Sequence, residues 1–227
     1  MNVVQIYLCH DDARFSDESF PVNVQQSVGI DHMTSDAAIL KNGERAEVDT
    51  LILCTGYRFA FPFLSDDCKP AILHDGQVVD GLYWHLIHAA FPTMSFVGIP
   101  MKICPFPLFD RQVRFFLATL DGSVKLPSAE EMLDNVRKEM EASVTAEKAP
   151  DHFHVFGESQ WDYNDKLATA AGFEPLKTVV GKIYEFSANQ RKTNLQGYRL
   201  QTYKILDHVT FMNYTDPYLE YLATKKP

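Results

Sequence analysis

One stretch, residues 50–64 with the sequence TLILCTGYRFAFPFL, limits the folds open to this chain more than any other. Its first part, Thr50–Cys54, is a continuous apolar run between polar residues, which predicts a central strand buried on both faces. An acidic residue in place of Leu53 should then strongly destabilise the protein. Gly56 lacks a Cβ and permits a sharp turn, so we expect the strand to end there. The aromatic residues of 57–63 then follow the carboxyl end of the strand, where open α/β sheets bind ligands.

The rest of the chain predicts an α/β fold with a β-rich first half and helices after residue 105. An Asn42-Gly43 pair between short apolar runs indicates a hairpin with a type I′ turn. Strands are expected at Val3–Leu8, Val22–Ile30, Ala38–Leu40, Arg45–Val48, Leu82–His88 and Met94–Ile99. Helices are expected from about Leu108 to Leu120, from a Ser128–Glu131 capping box to about Val144, and from Gln160 to Ala171. Residues after 172 show no clear periodicity.

Composition excludes several classes of protein. The 227 residues are 46% hydrophobic and 22% charged, as in ordinary globular domains. The 21 basic and 30 acidic residues give a net charge of −9 without a basic stripe, so a nucleic-acid partner is not expected. No apolar stretch is long enough for a membrane span, and the first residues do not resemble a secretory signal. Four separated cysteines predict reduced, buried thiols and a cytoplasmic protein, with association to the endoplasmic reticulum as the alternative.

The glycines and histidines form none of the common cofactor or metal motifs. No two of the 11 glycines are separated by a single residue, so the phosphate-binding pattern G-x-G-x-x-G is absent from these residues. The close histidine pairs are His85 with His88 and His152 with His154. On a strand the first pair would face opposite sides, and the second has no convincing additional ligand nearby. We therefore expect no metal site.

Two strings of residues resemble the flavin-containing monooxygenase family. Cys54-Thr55-Gly56-Tyr57 followed by Phe61–Leu64 resembles the family's Ala-Thr-Gly-Tyr and Phe-Pro-Phe-Leu segment, with Cys54 in place of alanine. Phe96-Val97-Gly98 followed by Asp110–Arg114 resembles its Phe-Ile-Gly and Glu-x-Gln-x-Arg segment. Both strings occur in the family's order, and the resemblance extends from about Leu8 to Asn164. It corresponds to roughly the carboxyl-terminal half of such an enzyme.

The resemblance implies a partial two-lobe dinucleotide-binding flavoprotein fold with FAD and NADP as cofactors. Residues 1–57 would end the nicotinamide-nucleotide lobe, and residues 58–227 would form the carboxyl-terminal part of the FAD lobe with a helical extension. The cofactor-binding residues would be Cys54, Thr55, Gly56, Tyr57, Gly98, Gln112 and Arg114. The helix that begins near Leu108 would direct unpaired N–H groups at the flavin ring edge. No catalytic residue is assigned.

The implied reaction is N- or S-oxygenation of a small amine or sulfide with NADPH and dioxygen. Preference for NADPH over NADH is in doubt, because Asp11 and Asp12 follow the first strand where the family often has arginine, and Arg14 is the nearest cation. Without the glycine-rich motifs, residues 1–227 by themselves are expected to be inactive. Two alternatives remain: a non-catalytic fragment that acts as an interaction protein, and another FAD/NAD(P) oxidoreductase. The sequence also leaves open whether the chain forms a homo-oligomer.

Overall fold

A computed structural model describes residues 5–10, 20–145, 149–218 and 221. Short strands and four α-helices alternate with loops in these ranges, in agreement with the predicted mixed α/β class. The chain forms two compact units, one from residues up to Cys54 together with those from Lys177 onward, and one from Thr55 to Leu176. The assignment of residues 1–57 and 58–227 to a nicotinamide and a flavin lobe stays a prediction.

The first unit contains two small sheets in its amino-terminal segment. Strand β1 (Ile6–Cys9) pairs in parallel with β2 (Val24–Ser27). Strands β3 (Ile30–Met33), β4 (Ala37–Leu40) and β5 (Arg45–Glu47) form an antiparallel sheet in which β4 is central and most buried. The predicted first strand is thus observed as β1, although Val3, Val4, Asp11, Asp12 and Arg14 lie outside the described residues.

The Asn42-Gly43 hairpin is present, but its turn differs from the predicted type. Gly43 donates its N–H to Leu40 O and has φ +84°, whereas Asn42 does not have positive φ. The Asn42 Oδ1 instead accepts the Glu44 N–H at 3.0 Å. Because only one residue is left-handed, the turn is not type I′.

The predicted central strand at Thr50–Cys54 is wrong in this structure. These residues are assigned to no strand, and the exposed fractions of Ile52 and Leu53 are 77% and 74%. A strand buried on both faces needs neighbouring strands and a layer above and below it. None of the strands in the described part of the chain pairs with this run.

The carboxyl-terminal part of the first unit was not predicted. Helix α4 (Thr178–Thr193) is followed by a hairpin of β10 (Gln201–Ile205) and β11 (Phe211–Thr215). The rings of Phe186, Tyr203 and Phe211 contact each other with centroids 5.5–6.1 Å apart. Gly181 inside α4 and its weak apolar periodicity explain why the sequence did not indicate this helix.

The second unit carries the main hydrophobic core beneath three helices. They are α1 (Pro105–Leu120), α2 (Ala129–Thr145) and α3 (Gln160–Ala171), and α1 lies against α3. Two short hairpins precede them, β6 (Ile72–Leu73) with β7 (Val78–Val79) and β8 (Leu82–Tyr83) with β9 (Ile87–His88). The central cluster comprises Tyr83, Leu86, Ile87, Ala89, Leu108, Phe115, Met132, Tyr163 and Leu167. No helix in the described ranges has the length and apolarity needed to cross a membrane.

Local sequence determines where these helices begin and end. Helix α1 begins at Pro105, three residues before the predicted start, because proline suits the first helical position. Ser128 and Glu131 form the predicted capping box through mutual hydrogen bonds of 2.8–3.3 Å. Gly172 ends α3 with φ +67°. The predicted strands at Leu82–His88 and Met94–Ile99 are only partly formed, because a turn interrupts the first and a single bridge from Ile87 to Ser95 marks the second.

Candidate cofactor-facing site

The Thr55-Gly56-Tyr57 string lies on the surface. The side chain of Tyr57 is 96% exposed, and nothing lies within 4 Å of the position where Gly56 would carry a Cβ. Gly56 has φ +88°, so it makes the sharp turn that its sequence context predicts. The predicted burial of the cysteines is wrong, because Cys54 is exposed and the other three are only partly buried. Cys54 ends the first compact unit, and Thr55 begins the second. These residues are accessible, but they form no enclosed site by themselves.

The aromatic residues that follow Gly56 fold back onto the second unit. Phe59 donates its N–H to Gly76 O at 2.7 Å, and the Phe61 ring contacts the Phe96 ring with centroids 4.8 Å apart. Phe96 lies two residues before Gly98, so packing connects the two strings on which the family resemblance rests. The aromatic segment therefore supports the Gly98 turn from one side.

Gly98 and Gln112, which the sequence placed at one site, are in direct contact. Gly98 donates its N–H to Gln112 Oε1 at 2.9 Å, and Gln112 Nε2 donates to the Tyr163 hydroxyl at 2.9 Å. The Gln112 side chain is fully buried. A Cβ at Gly98 would lie 3.0 Å from the Phe109 ring, and its φ of +89° also favours glycine. Gln112 therefore holds the Gly98 turn in place.

Arg114 occupies the solvent side of α1. Its side chain is 54% exposed and its Nε lies 3.0 Å from Asp110 Oδ2. Its guanidinium carbon also lies 5.9 Å from the centre of the Phe173 ring. Arg114 and the buried Gln112 are two residues apart on a helix, so they face different directions. The structure does not join Arg114 to the Gly98 contact.

The amino terminus of α1 offers fewer donors than the sequence suggested. Pro105 and Pro107 have no N–H, and the Leu108 N–H reaches Cys104 O at 3.4 Å. Only Phe106 is left to present an N–H among the first three helical positions. Burial raises the pKa of the Cys104 thiol, which favours its neutral form. This end of the helix is therefore a weak anion site.

Sequence reasoning missed a histidine cluster at the base of the same unit. His85 Nδ1 and His154 Nδ1 are 2.8 Å apart, and Val79 donates its N–H to His154 Nε2 at 3.0 Å. His85 Nε2 lies 3.9 Å from Glu139 Oε2, and Lys166 Nζ lies 3.1 Å from Glu139 Oε1. One histidine from each pair noted in the sequence takes part. Their separation of 69 residues left no local pattern that could have predicted the contact.

The turn that carries His85 has an unusual backbone. Trp84 and His85 have φ of +51° and +53°, values that residues other than glycine, asparagine and aspartate rarely adopt. Three contacts hold this turn: the Tyr163 hydroxyl donates to Trp84 O at 2.8 Å, Lys166 Nζ lies 4.2 Å above the Trp84 ring, and His85 bonds His154. Burial keeps the pKa of the Tyr163 hydroxyl well above its ordinary value, so it stays a donor.

These residues do not by themselves fit FAD. The Gly98 N–H is bound to Gln112, and the α1 terminus offers a single free donor position. Within the described ranges there is also no group of three or more histidine, cysteine or acidic residues arranged for a metal ion.

Comparisons with known proteins agree on one family. A family model described as flavin-binding monooxygenase-like matches residues 19–180. Flavin-containing monooxygenase FMO GS-OX-like 4 of Arabidopsis thaliana is 32% identical over 165 residues, which are 72% of this chain and 36% of that protein. Senecionine N-oxygenase of Tyria jacobaeae is 28% identical over 203 residues, which are 89% of this chain and 44% of that protein.

A solved structure shows the same fold. The S-allyl-L-cysteine S-oxygenase of Allium sativum superposes with a TM-score of 0.74 at 27% sequence identity, covering 86% of this chain and 45% of that one. The mixture of strands and helices and this likeness confirm the predicted fold class. The chain spans between about a third and a half of the length of these relatives.

Proposed function

This chain belongs to the flavin-binding monooxygenase-like family, and we propose that it forms part of a flavin-dependent monooxygenase that oxygenates nitrogen or sulfur in small amines or sulfides. The contact between Gly98 and Gln112 carries the proposal. Both residues belong to the second of the two strings that resemble the family, where they are 14 residues apart, and a 2.9 Å hydrogen bond joins them. The names of two relatives, an N-oxygenase and an S-oxygenase, support the same class of substrate.

The proposed cofactors are FAD and NADP, and FAD would supply the chemistry with dioxygen. The chain's own contribution is structural. The backbone of Gly98 would face the flavin, and Thr55-Gly56-Tyr57 would lie where the nicotinamide-nucleotide lobe returns to the flavin lobe. Cys54 and Arg114, which are both exposed, complete the proposed set of cofactor-binding residues. Choice between NADPH and NADH depends on Asp11, Asp12 and Arg14, which lie outside the described residues.

The exposed apolar run Leu51–Leu53 supports the view that these residues act within a larger fold. The run has a sequence typical of a fully buried strand, but its three side chains are 45–77% exposed. Such exposure is unfavourable unless another sheet or helix covers these side chains. We also propose a cytoplasmic location, with endoplasmic-reticulum association as the alternative, since the four cysteines are free thiols.

The proposal is tested with two purified proteins. Residues 1–227 alone, mixed with FAD and passed through a desalting column, should be colourless and should not oxidise NADPH when an amine or sulfide is added. Residues 1–227 fused to the part of the Allium sativum S-oxygenase that this chain does not cover should be yellow and should oxidise NADPH. A pyrophosphate cradle makes several charge-assisted hydrogen bonds of about 1.5–3 kcal/mol each, so its presence changes affinity by many decades.

Two glycine variants of the fusion serve as a matched pair. Gly98→Ala places a Cβ 3.0 Å from the Phe109 ring, whereas Gly122→Ala meets open space at a similar φ of +81°. We expect flavin to be lost more readily from the first variant than from the second. A folded fusion that stays colourless would favour the alternative, a non-catalytic interaction protein. Stoichiometric FAD on residues 1–227 alone would instead require a binding mode that these glycines do not provide.

A further inference from the structure

A chain of two hydrogen bonds runs through the core of the second unit. Val79 donates its backbone N–H to His154 Nε2 at 3.0 Å, and His154 Nδ1 lies 2.8 Å from His85 Nδ1. His154 has no exposed surface and His85 is 8% exposed. Water therefore has little access to either ring, and each nitrogen must be satisfied by the protein.

Counting donors and acceptors assigns both tautomers. A backbone N–H can only donate, so His154 Nε2 is an acceptor and carries no proton. A neutral imidazole then carries its proton on Nδ1, which makes His154 the donor to His85 Nδ1. His85 in turn carries its proton on Nε2, the nitrogen that faces Glu139. The arrangement fits when both histidines are neutral.

One added proton breaks this arrangement wherever it binds. A proton on His154 Nε2 would face the Val79 N–H, so two donors would oppose each other. A proton on His85 Nδ1 would face the N–H of His154, with the same result. We propose that His85 and His154 form a pH-sensitive latch that is closed when both rings are neutral and opens when either ring is protonated.

The backbone beside the latch holds the segment that leads from Gly98 into α1. Met101 donates its N–H to His154 O at 2.8 Å, and Phe156 and Gly157 donate theirs to Met101 O and Lys102 O. Lys102 has φ +53°, so this segment, like the Trp84–His85 turn, depends on outside contacts to keep its shape. The backbone of residues 154–157 therefore positions Met101 and Lys102. The placement of the loop of residues 98–104 beside a flavin rests on the proposed function, but the latch does not.

The charged and titratable groups around the pair come from two helices and the adjoining strand. Glu139 on α2 lies 3.9 Å from His85 Nε2, and Lys166 on α3 holds the other oxygen of Glu139. The Tyr163 ring lies 6.3 Å from His85, and Tyr83, beside Trp84, has its pKa raised by burial and by Glu139. Glu139 would attract a proton toward His85, which opens the latch by the second route.

Tautomer assignment by NMR is the first test. Residues 1–227 with ¹⁵N-labelled histidine, studied at pH 7.5 by long-range ¹H–¹⁵N correlation, should show His154 protonated at Nδ1 and His85 at Nε2. His85→Gln and His154→Gln identify the two resonance sets. A His154 ring protonated at Nε2 would overturn the proposal.

Hydrogen exchange of two backbone amides is the second test. The Val79 N–H depends on His154, whereas the Gly98 N–H depends on Gln112, which does not titrate. After correction for intrinsic exchange, protection of Val79 should fall by up to about tenfold per pH unit once the latch titrates, more steeply than protection of Gly98. Equal loss at both amides, or no loss at Val79, would overturn the latch.

A glutamine variant gives a matched control. In His154→Gln, the side-chain oxygen can accept the Val79 N–H at the same depth without carrying a titratable proton. Protection of Val79 in this variant should not change between pH 7 and 5. If the variant does not fold, the comparison of the two amides in the unmodified chain still decides the matter. None of these measurements uses flavin, so they fail or succeed independently of the proposed monooxygenase activity.

Discussion

At the scale of single residues, the candidate site depends on a buried amide side chain, that of Gln112. Removing it leaves the Gly98 N–H without its acceptor and the Tyr163 hydroxyl without one of its donors. An unsatisfied buried polar group costs about 1–3 kcal/mol, so Gln112→Leu should lower the free energy of unfolding by about 2–4 kcal/mol. Urea unfolding followed by far-UV circular dichroism measures the change.

Arg114→Leu on the same helix is the control for that substitution. Arg114 is half exposed and its ion pair with Asp110 is a surface contact, so its loss should change stability by less than about 1 kcal/mol. Equal effects of the two substitutions would show that the Gln112 hydrogen bonds are not what stabilises the Gly98 turn.

His154 makes the stability of the chain depend on pH. Burial, the main cause, lowers its pKa from 6.5 to about 4. Between these values the unfolded chain binds a proton that the folded chain does not, so stability is complete above pH 6.5 and falls as the pH decreases toward 4. The total loss should be about 3 kcal/mol. His88, whose pKa burial also lowers, adds a loss in the same direction.

The measurement is a series of urea unfolding curves between pH 7.5 and 4. His154→Gln should flatten the pH dependence relative to the unmodified chain. An identical slope in both proteins would mean that other groups account for the acid sensitivity.

At the scale of elements, the run Thr50–Cys54 shows that a strand-like sequence does not suffice to form a strand. Because Leu53 is 74% exposed, Leu53→Asp should change the urea midpoint of residues 1–227 only slightly, contrary to what the sequence predicts. Leu86→Asp, at a position with no exposed surface, should unfold the chain because it buries a charge without a partner. A large loss at Leu53 would show that the run is buried in solution.

The start of α2 offers a smaller, local test. Ser128→Ala removes the hydroxyl that bonds the Glu131 N–H and carboxylate, and should cost about 1 kcal/mol. Ser143→Ala, within the same helix, should have little effect or stabilise slightly, because alanine has the higher helix propensity. Thermal unfolding of the two variants separates capping from propensity.

At the scale of the whole molecule, exposed apolar side chains should make residues 1–227 associate with themselves. Ile52 and Leu53 are mostly exposed, and α1 presents Leu117 and Leu120 at about half exposure. Exposed apolar patches favour association, so the weight-average mass in sedimentation should rise with protein concentration. Ile52→Ser combined with Leu53→Ser should reduce the rise. If the weight-average mass of the double variant rises as steeply as that of the unmodified chain, the chains associate through other residues.

The sequence by itself determined the features that depend on neighbours along the chain. The Ser128–Glu131 capping box, the α3 boundaries at Gln160 and Ala171, and a hairpin at Asn42-Gly43 all follow from short-range hydrogen bonds and backbone preferences. The family assignment belongs to the same level, because two strings of residues in a fixed order carry it.

Tertiary structure alone decided what depends on residues far apart in sequence. Burial of a strand is a property of its neighbours, so Thr50–Cys54 looked central in sequence and is exposed in the fold. The family resemblance placed Gln112 beside a flavin, but its amide donates to the hydroxyl of Tyr163, 51 residues away, and is buried in the core. His85 and His154 meet across 69 residues, and their tautomers follow from a single backbone N–H at Val79. Periodicity cannot encode such contacts, because they form only when separate elements pack together.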